Sequence, residues 1–166
     1  MFTKNFLFKD FKKKKKNKVF NKYLKEIINN KNEIIKSLGN NYKYNYSKNL
    51  IKNFKNYKDI RIFGMGGSSL GANAIYDFLK YKINKNFYFI SNLNKKTFPK
   101  KKYLNLVISK SGNTLETIVN SNIFIKKKDK NILITENKKN ILRELSQKLK
   151  AEIIDHNNYI GGRYSV

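Results

Sequence analysis

An α/β fold with a doubly wound parallel sheet of about five strands is predicted by three features of the sequence. Short apolar runs rich in β-branched and aromatic residues recur from residue 58 onward, and such runs are typical of buried parallel strands. Stretches with helical periodicity separate them, as expected when strands and helices alternate. Seven of the eight glycines fall in three short segments that follow predicted strands, which indicates backbone that comes close to a ligand.

The first 55 residues are predicted to be a basic, helical N-terminal extension, followed by one domain over 56–166. Apolar residues in the extension recur at three- and four-residue spacing and predict an amphipathic helix that ends at Gly39. We expect this helix to pack on the domain and the lysine run 12–16 to form a solvated arm. The apolar positions are Phe20, Tyr23, Leu24, Ile27, Ile28, Ile34, Ile35 and Leu38.

Within 56–166 the pattern predicts five strands and three helices, with a polar link at 91–103 that contains the only proline and to which we assign no helix. The strands are predicted over residues 60–63, 87–90, 104–108, 132–134 and 153–154. The helices are predicted over residues 70–82, 113–127 and 138–150.

Composition excludes several classes of protein and leaves one question open. No window approaches the roughly 20 apolar residues of a membrane helix, the N-terminus does not resemble a signal peptide, and the absence of cysteine excludes thiolate metal sites. A soluble cytoplasmic protein is therefore expected. The net charge of +26 is explained either by a codon bias that favours lysine or by binding to a polyanion such as nucleic acid. No nucleic-acid-binding motif is present.

The first glycine segment, residues 64–71, lies between a predicted strand and a predicted helix. This arrangement directs free backbone N–H groups and the positive helix end toward an anion. Ser68 and Ser69 can cap the helix or bind ligand oxygens, and a tight turn without a ligand remains an alternative. Its spacing matches neither the dinucleotide fingerprint nor the P-loop, so a nucleotide is disfavoured at this loop.

The second segment, residues 109–117, reads Ser-Lys-Ser-Gly-Asn-Thr-Leu-Glu-Thr and opens a predicted helix. Its hydroxyls, its lysine, its exposed N–H groups and the helix dipole suit a phosphate monoester. A capping box, with Asn113 or Ser111 as the cap and Glu116 reaching back, is the alternative. The two arrangements are compatible, since Glu116 can brace the loop while Ser111 and Thr114 face the ligand.

The third segment, Gly161-Gly162-Arg163-Tyr164-Ser165, lies near the C-terminus. An arginine after two glycines can approach a ligand closely and stabilise developing negative charge, although an ordinary surface arginine explains the pattern too. His156 is the only histidine, and we expect it to be a loop or strand-end residue and not a metal ligand.

Taken together, the three segments resemble the glucose-6-phosphate isomerase family, whose N-terminal part has the sugar-isomerase (SIS) fold, a flavodoxin-like arrangement. Residues 64–71 match Gly-Ile-Gly-Gly-Ser-x-Leu-Gly with Met65 for isoleucine, and residues 109–117 match Ser-Lys-Thr-x-x-Thr-x-Glu-Thr with Ser111 for threonine. Residues 161–165 match Gly-Gly-Arg-Tyr/Phe-Ser. A bare SIS binding domain would share the first two motifs but not the third.

The resemblance implies a role for each matching residue. Ser109, Ser111 and Thr114 would bind the substrate phosphate, and Lys110 would add positive charge. Gly67, Ser68 and Gly162 would line the sugar side of the site. Arg163 would stabilise the enediolate that forms as a proton moves between C1 and C2 of the open-chain sugar. The family uses no metal or other cofactor and is dimeric, so we expect a sugar phosphate as the ligand, a homodimer for the full-length enzyme, and no membrane or nucleic-acid partner.

One departure from the family limits these expectations. The family's glutamate base, ring-opening histidine and late lysine lie well beyond the Gly-Gly-Arg segment, whereas this sequence ends at Val166. We therefore expect a fragment that binds sugar phosphate weakly and turns over none. The alternatives are a non-catalytic sugar-phosphate-binding module, such as a regulator's sensor domain, and a basic nucleic-acid-binding protein.

Overall fold

A computed structural model of the 166-residue chain describes residues 18–30, 32–93, 97–126 and 128–161. The chain divides into two compact units, residues 1–42 and residues 43–166. The first unit contains helices α1 (Lys18–Asn29) and α2 (Glu33–Ser37), and the second contains the sheet. None of the helices in the described ranges is long and apolar enough to cross a bilayer.

The amphipathic stretch that ends at Gly39 is two helices, so the prediction of one continuous helix was wrong. Asn30 Oδ1 accepts the Asn32 amide at 3.1 Å, and Asn32 Oδ1 accepts the Ile34 amide at 2.9 Å and so caps α2. Asparagine side chains compete with helical backbone hydrogen bonds in this way, which ends α1 and starts α2. That the stretch packs on the domain remains a prediction.

All five predicted strands are present and pair in parallel, which confirms the predicted α/β class. Their order across the sheet is β2-β1-β3-β4-β5. The strands are β1 (Asp59–Phe63), β2 (Asn86–Ile90), β3 (Leu104–Ile108), β4 (Lys130–Glu136) and β5 (Glu152–His156).

Three of the four helices in the second unit match the predicted ones, with ends that differ by a few residues. The fourth, α3, was missed, although Ser47 marks its start by accepting the Leu50 amide at 3.1 Å. A 3-10 turn (Lys80–Lys82) extends α4. The helices are α3 (Lys48–Asn53), α4 (Gly67–Leu79), α5 (Leu115–Phe124) and α6 (Ile141–Leu149).

Both faces of the sheet carry a buried apolar cluster, because neighbouring residues of each strand point to opposite sides and most strand residues are apolar. On one face, a buried cluster that includes Phe63, Val107 and Leu133 packs with residues of α5 and α6. On the other, a cluster centred on Ile62 and Leu104 packs with Ala72 of α4. Helices on both faces hold the strands in place, so that the loops at the carboxyl edge of the sheet are presented by a rigid scaffold.

Candidate phosphate-binding site

The glycine loop and the hydroxyl loop lie side by side, because β1 and β3 are neighbours. The strand order reverses at this point: the chain goes from β1 outward to β2, and then returns to β3 on the other side of β1. In open parallel sheets, ligands bind outside the carboxyl ends of the strands at such a switch point. A Cβ on Gly64, the first residue after β1, would lie 3.2 Å from the carbonyl oxygen of Ile108, the last residue of β3.

The glycine loop (residues 64–67) leads directly into α4. Gly66 is the N-cap residue, with φ 50° and ψ −123°, a combination that essentially only glycine adopts. Ser68 and Ser69 were considered as caps of α4, but neither of them nor any other described side chain caps it. Gly67 begins the helix and Ser68 follows it half-buried, while Ser69 is buried. Within the described residues, no hydrogen bond engages the hydroxyl of Ser68.

Three hydroxyl groups converge in the hydroxyl loop (residues 109–114). Ser109, directly after β3, is only 2% exposed, and its Oγ shares a hydrogen bond of 2.8 Å with Oγ1 of Thr114. Oγ of Ser111 lies 3.5 Å from the same Ser109 oxygen. Ser111 is exposed and Thr114 is half-buried. The cluster therefore runs from the protein interior to the surface, with rotatable donors that can turn toward an anion.

Helix α5 begins directly after these hydroxyls, with Thr114 as its N-cap. The first-turn amides of Leu115, Glu116 and Thr117 donate to no partner among the described residues, as is usual at a helix start. These N–H groups and the helix dipole add partial positive charge beside the hydroxyls. An anion at this position would be attracted by both.

The capping box considered for this loop is not formed. No described side chain caps α5, and Asn113 Oδ1 instead accepts the Ile141 amide at 3.1 Å, at the start of α6. Ser111 Oγ accepts the Asn113 amide at 3.3 Å. Tertiary contact with α6 has therefore redirected Asn113 away from the helix that follows it in sequence.

Helix α6 holds the hydroxyl loop from behind. The Leu142 amide donates to the Gly112 carbonyl at 3.1 Å. Gly112 has φ 70°, and a Cβ there would lie 2.2 Å from the side chain of Asn140. Asn140 is itself buried, donates to Thr135 Oγ1 at 3.1 Å and accepts the Arg143 amide at 3.0 Å. The loop thus has its shape fixed before any ligand binds.

The contact between Asn140 and Gly112 was missed at the sequence level. An asparagine before the periodic residues of α6 is a recognisable helix-start signal, so its capping role could have been found. Its place behind the hydroxyl loop could not, because 28 positions separate Gly112 from Asn140 and nothing local links them.

Lys110 points toward the ends of β4 and β5. Its Nζ donates to the Asn158 carbonyl at 2.7 Å and lies 3.3 Å from Oε1 of Glu136. Lys138 contacts the other oxygen of Glu136 at 3.0 Å. A hydrogen bond from Lys138 is the main cause that holds the pKa of Glu136 below its ordinary value, and Lys110 adds to it against the opposing effect of burial. The charge that Lys110 brings to the loop is therefore shared with a carboxylate.

The third sequence segment is only partly described. Strand β5 ends at His156, whose Nδ1 lies 2.8 Å from the Asn157 carbonyl oxygen. His156 is thus a strand-end residue, as predicted. A separate finding is that no group of three or more metal-ligating side chains occurs in the part of the chain that the structure describes. Gly161 is the last described residue. Gly162 and Arg163 lie outside the described residues.

Comparisons with known proteins agree on one family. The phosphoglucose isomerase family model matches residues 13–166. A glucose-6-phosphate isomerase of Methanocaldococcus jannaschii is 36% identical over 137 residues, which is 73% of this chain and 33% of that protein. A second relative of the same name, from Borreliella afzelii, is 34% identical over 150 residues and matches 74% of this chain and 28% of its own length. The chain thus spans about a third of the length of the curated relatives it matches.

A solved structure supports the fold. The hypothetical protein TT0462 of Thermus thermophilus superposes with a TM-score of 0.59 at 22% identity, and the match covers 69% of this chain and 31% of the Thermus chain. At 22% identity the likeness concerns the fold alone.

Proposed function

The chain belongs to the phosphoglucose isomerase family, and from that premise we propose that it is the sugar-phosphate-binding part of a glucose-6-phosphate isomerase. Such an enzyme interconverts glucose 6-phosphate and fructose 6-phosphate. The observation that carries the proposal is the convergence of the Ser109, Ser111 and Thr114 hydroxyls beside the free first turn of α5.

The phosphate of the substrate binds the hydroxyl loop. Its oxygens accept hydrogen bonds from Ser111 and Thr114, and Ser109 orients Thr114 through their 2.8 Å hydrogen bond. The amides of the first turn of α5 supply further donors, and hydrogen bonds to an ionised acceptor are stronger than those between neutral groups. Lys110 adds positive charge at the side of the loop, moderated by its contact with Glu136.

The sugar extends from the phosphate toward the glycine loop. This direction follows from the neighbouring positions of β1 and β3, whose carboxyl ends carry the two loops. Gly67 lets the sugar approach the backbone closely because it has no side chain, and the Ser68 hydroxyl faces the sugar oxygens. Gly162 and Arg163 complete the site, with the guanidinium stabilising the enediolate oxygen as charge develops.

Residues 1–166 bind the substrate but do not isomerise it on their own. Proton transfer between C1 and C2 needs a base beside the reacting carbons. Glu136 is unsuited to that task because Lys138 and Lys110 bind both of its oxygens and lower its pKa. Glu116 lies in the first turn of α5, next to the bound phosphate and away from the reacting carbons.

Calorimetric titration with fructose 6-phosphate at about 150 mM salt tests the proposal, since salt screens the general attraction of a basic chain for anions. We expect binding by the chain and at least a tenfold loss in Ser111→Ala plus Thr114→Ala. The matched control, Ser37→Ala plus Thr97→Ala, removes one serine and one threonine hydroxyl elsewhere and should bind like the parent. A coupled isomerase assay on the same preparation should show no turnover.

Two results would contradict the proposal. Binding that the loop variant keeps would mean that the hydroxyl loop is not the phosphate site. Measurable isomerisation by residues 1–166 would mean that a base is present among them, and the assignment of Glu116 and Glu136 as non-catalytic would be wrong.

A further inference from the structure

A cavity opens at the opposite edge of the sheet, at the amino ends of β1, β3 and β4. Its volume is about 640 Å³, within the range of roughly 300–1,000 Å³ that is usual for small-molecule sites. The segments that precede these three strands form much of its wall, including Tyr57 before β1, Tyr103 before β3 and Asp129 before β4. The switch-point loops that carry the proposed sugar-phosphate site contribute nothing to it.

The cavity is richer in positive charge than the chain as a whole. Seven of the fourteen described residues that line it are lysine or arginine, whereas 37 of 166 are so over the chain. Among those fourteen, Asp129 is the one carboxylate. The compositional bias toward lysine therefore does not account for the concentration of charge at this place.

Most of these cations have no counter-charge among the residues that the structure describes. Asp129 forms an ion pair with Arg61, with 3.0 Å between Oδ2 and Nη2. Lys101 forms one with Asp59, with 2.6 Å between Nζ and Oδ1. Lys100, Lys102 and Lys126 make no ion pair among the described residues. Like charges held around a concave surface repel one another, and a bound anion relieves that repulsion.

The inner wall is aromatic and includes a buried arginine. The guanidinium of Arg61, a residue only 4% exposed, stacks on Tyr103 with Cζ 4.3 Å from the ring centroid and donates to Asn105 Oδ1 at 2.8 Å. Tyr103 and Phe98 pack edge to face, with their ring centroids 6.3 Å apart. Tyr57 and the exposed Ile123 add apolar surface to the lining.

We propose that this cavity is a second anion site, which takes a small molecule with several phosphate groups on an aromatic moiety, as in a nucleoside triphosphate. A single phosphate group would leave most of the cavity volume unfilled and most of the lining lysines without a counter-charge. A triphosphate matches the lysines of the lining, and a base can lie against Tyr57 and Ile123, since aromatic and apolar contacts add to charge attraction. Binding here is independent of the sugar-phosphate site.

The test is titration of the full 166-residue chain with ATP at about 150 mM salt without divalent cations, with inorganic tripolyphosphate as a second probe. We expect ATP to bind at least fivefold more tightly than tripolyphosphate. Lys100→Gln plus Lys102→Gln plus Lys126→Gln should weaken ATP binding at least tenfold. The control, Lys52→Gln plus Lys139→Gln plus Lys148→Gln, removes the same charge from exposed lysines outside the cavity and should change the affinity less than twofold.

One further comparison tests the two proposed sites independently. ATP affinity should be unchanged in the Ser111→Ala plus Thr114→Ala variant, so the ATP proposal can fail while the sugar-phosphate proposal holds, and the reverse. Equal losses in the cavity and control lysine variants would overturn the proposal, because general charge attraction would then explain the binding. So would tripolyphosphate binding as tight as that of ATP, or ATP binding that disappears in the hydroxyl-loop variant.

Discussion

At the residue scale, Glu136 has the best-defined electrostatic role beside the candidate site. One of its carboxylate oxygens forms an ion pair with Lys138 and the other with Lys110. The two lysines lower its pKa. Its backbone takes part as well, because the Glu136 amide donates to the Lys110 carbonyl at 2.9 Å. Glu136 therefore contacts both the backbone and the side-chain ammonium of Lys110. The direction of the Glu136 pKa shift predicts how the stability of the fold depends on pH.

Replacing Glu136 with glutamine should flatten the acid limb of the stability profile. Since the folded-state pKa lies below the ordinary value of 4.5, the carboxylate stabilises the fold fully above the ordinary pKa. That contribution disappears as pH falls through the folded-state value, because both states then bind the proton. Urea unfolding from about pH 6 to about pH 3.5 should show a larger loss of stability in the parent than in Glu136→Gln.

The control for this comparison is Glu152→Gln, an exposed glutamate that forms no ion pair among the described residues. It should keep the parent's pH dependence. Parallel profiles for the parent and Glu136→Gln would show that the lysine contacts contribute nothing to stability.

At the scale of elements, the hydroxyl loop depends on α6 and not on its own sequence. The carbonyl of Gly112 and the side chain of Asn113 are both bound by the first turn of α6. Behind them, Asn140 fills the space that a side chain at position 112 would need. A loop held in this way keeps one conformation without a ligand, which would lower the entropy lost on binding the proposed phosphate.

Substituting Gly112 with alanine should therefore cost more stability than substituting Gly66 with alanine. Both glycines have positive φ, where alanine costs roughly 1–3 kcal/mol. At Gly66 a Cβ meets nothing within 4 Å, whereas at Gly112 it must displace Asn140. Displacement leaves buried polar groups without partners, at about 1–3 kcal/mol more. Urea unfolding of both variants measures the difference, and fructose 6-phosphate titration should show weaker binding by Gly112→Ala.

Equal losses of stability at the two glycines would contradict this account of the loop. In that case Asn140 would move at no cost, and the backbone dihedral alone would explain the requirement for glycine.

At the scale of the whole molecule, the net charge of +26 is the dominant electrostatic feature. Only a few of the lysines form ion pairs among the described residues, so mutual repulsion opposes the compact state. Salt weakens that repulsion, because the screening length falls to about 10 Å at 0.1 M ionic strength.

Sodium chloride should therefore stabilise the chain. We expect the urea midpoint to rise between about 0.02 M and about 0.5 M salt, without a change in slope. Chloride is the appropriate anion, because phosphate or sulfate would also occupy the proposed sites. The variant with Lys52, Lys139 and Lys148 changed to glutamine should be more stable than the parent at low salt and gain less from added salt. A midpoint that is constant or falls would mean that repulsion is not limiting.

The sequence by itself determined the local structure and the chemistry of the loops. Strands and helices were found because apolar spacing reports which side of an element is buried. The first two glycine segments each contain a glycine with positive φ, Gly66 and Gly112, as the clustering of glycine predicted. Ser109, Ser111 and Thr114 were identified together because they are close in sequence. In the first amphipathic stretch, the apolar spacing continues across Asn30 and Asn32, whose side chains end α1 and cap α2. Apolar spacing alone therefore predicted one helix where there are two.

Only the tertiary structure decided which distant segments meet. Strand order places β1 between β2 and β3, and with it the glycine loop beside the hydroxyl loop. Long-range packing sets Asn140 behind Gly112 and buries Arg61 against Tyr103 and Asp129. The physical reason is that these contacts join residues tens of positions apart, whose pairing depends on how the whole sheet and its helices pack. Apolar periodicity within a short stretch of sequence carries no information about which distant residues pair.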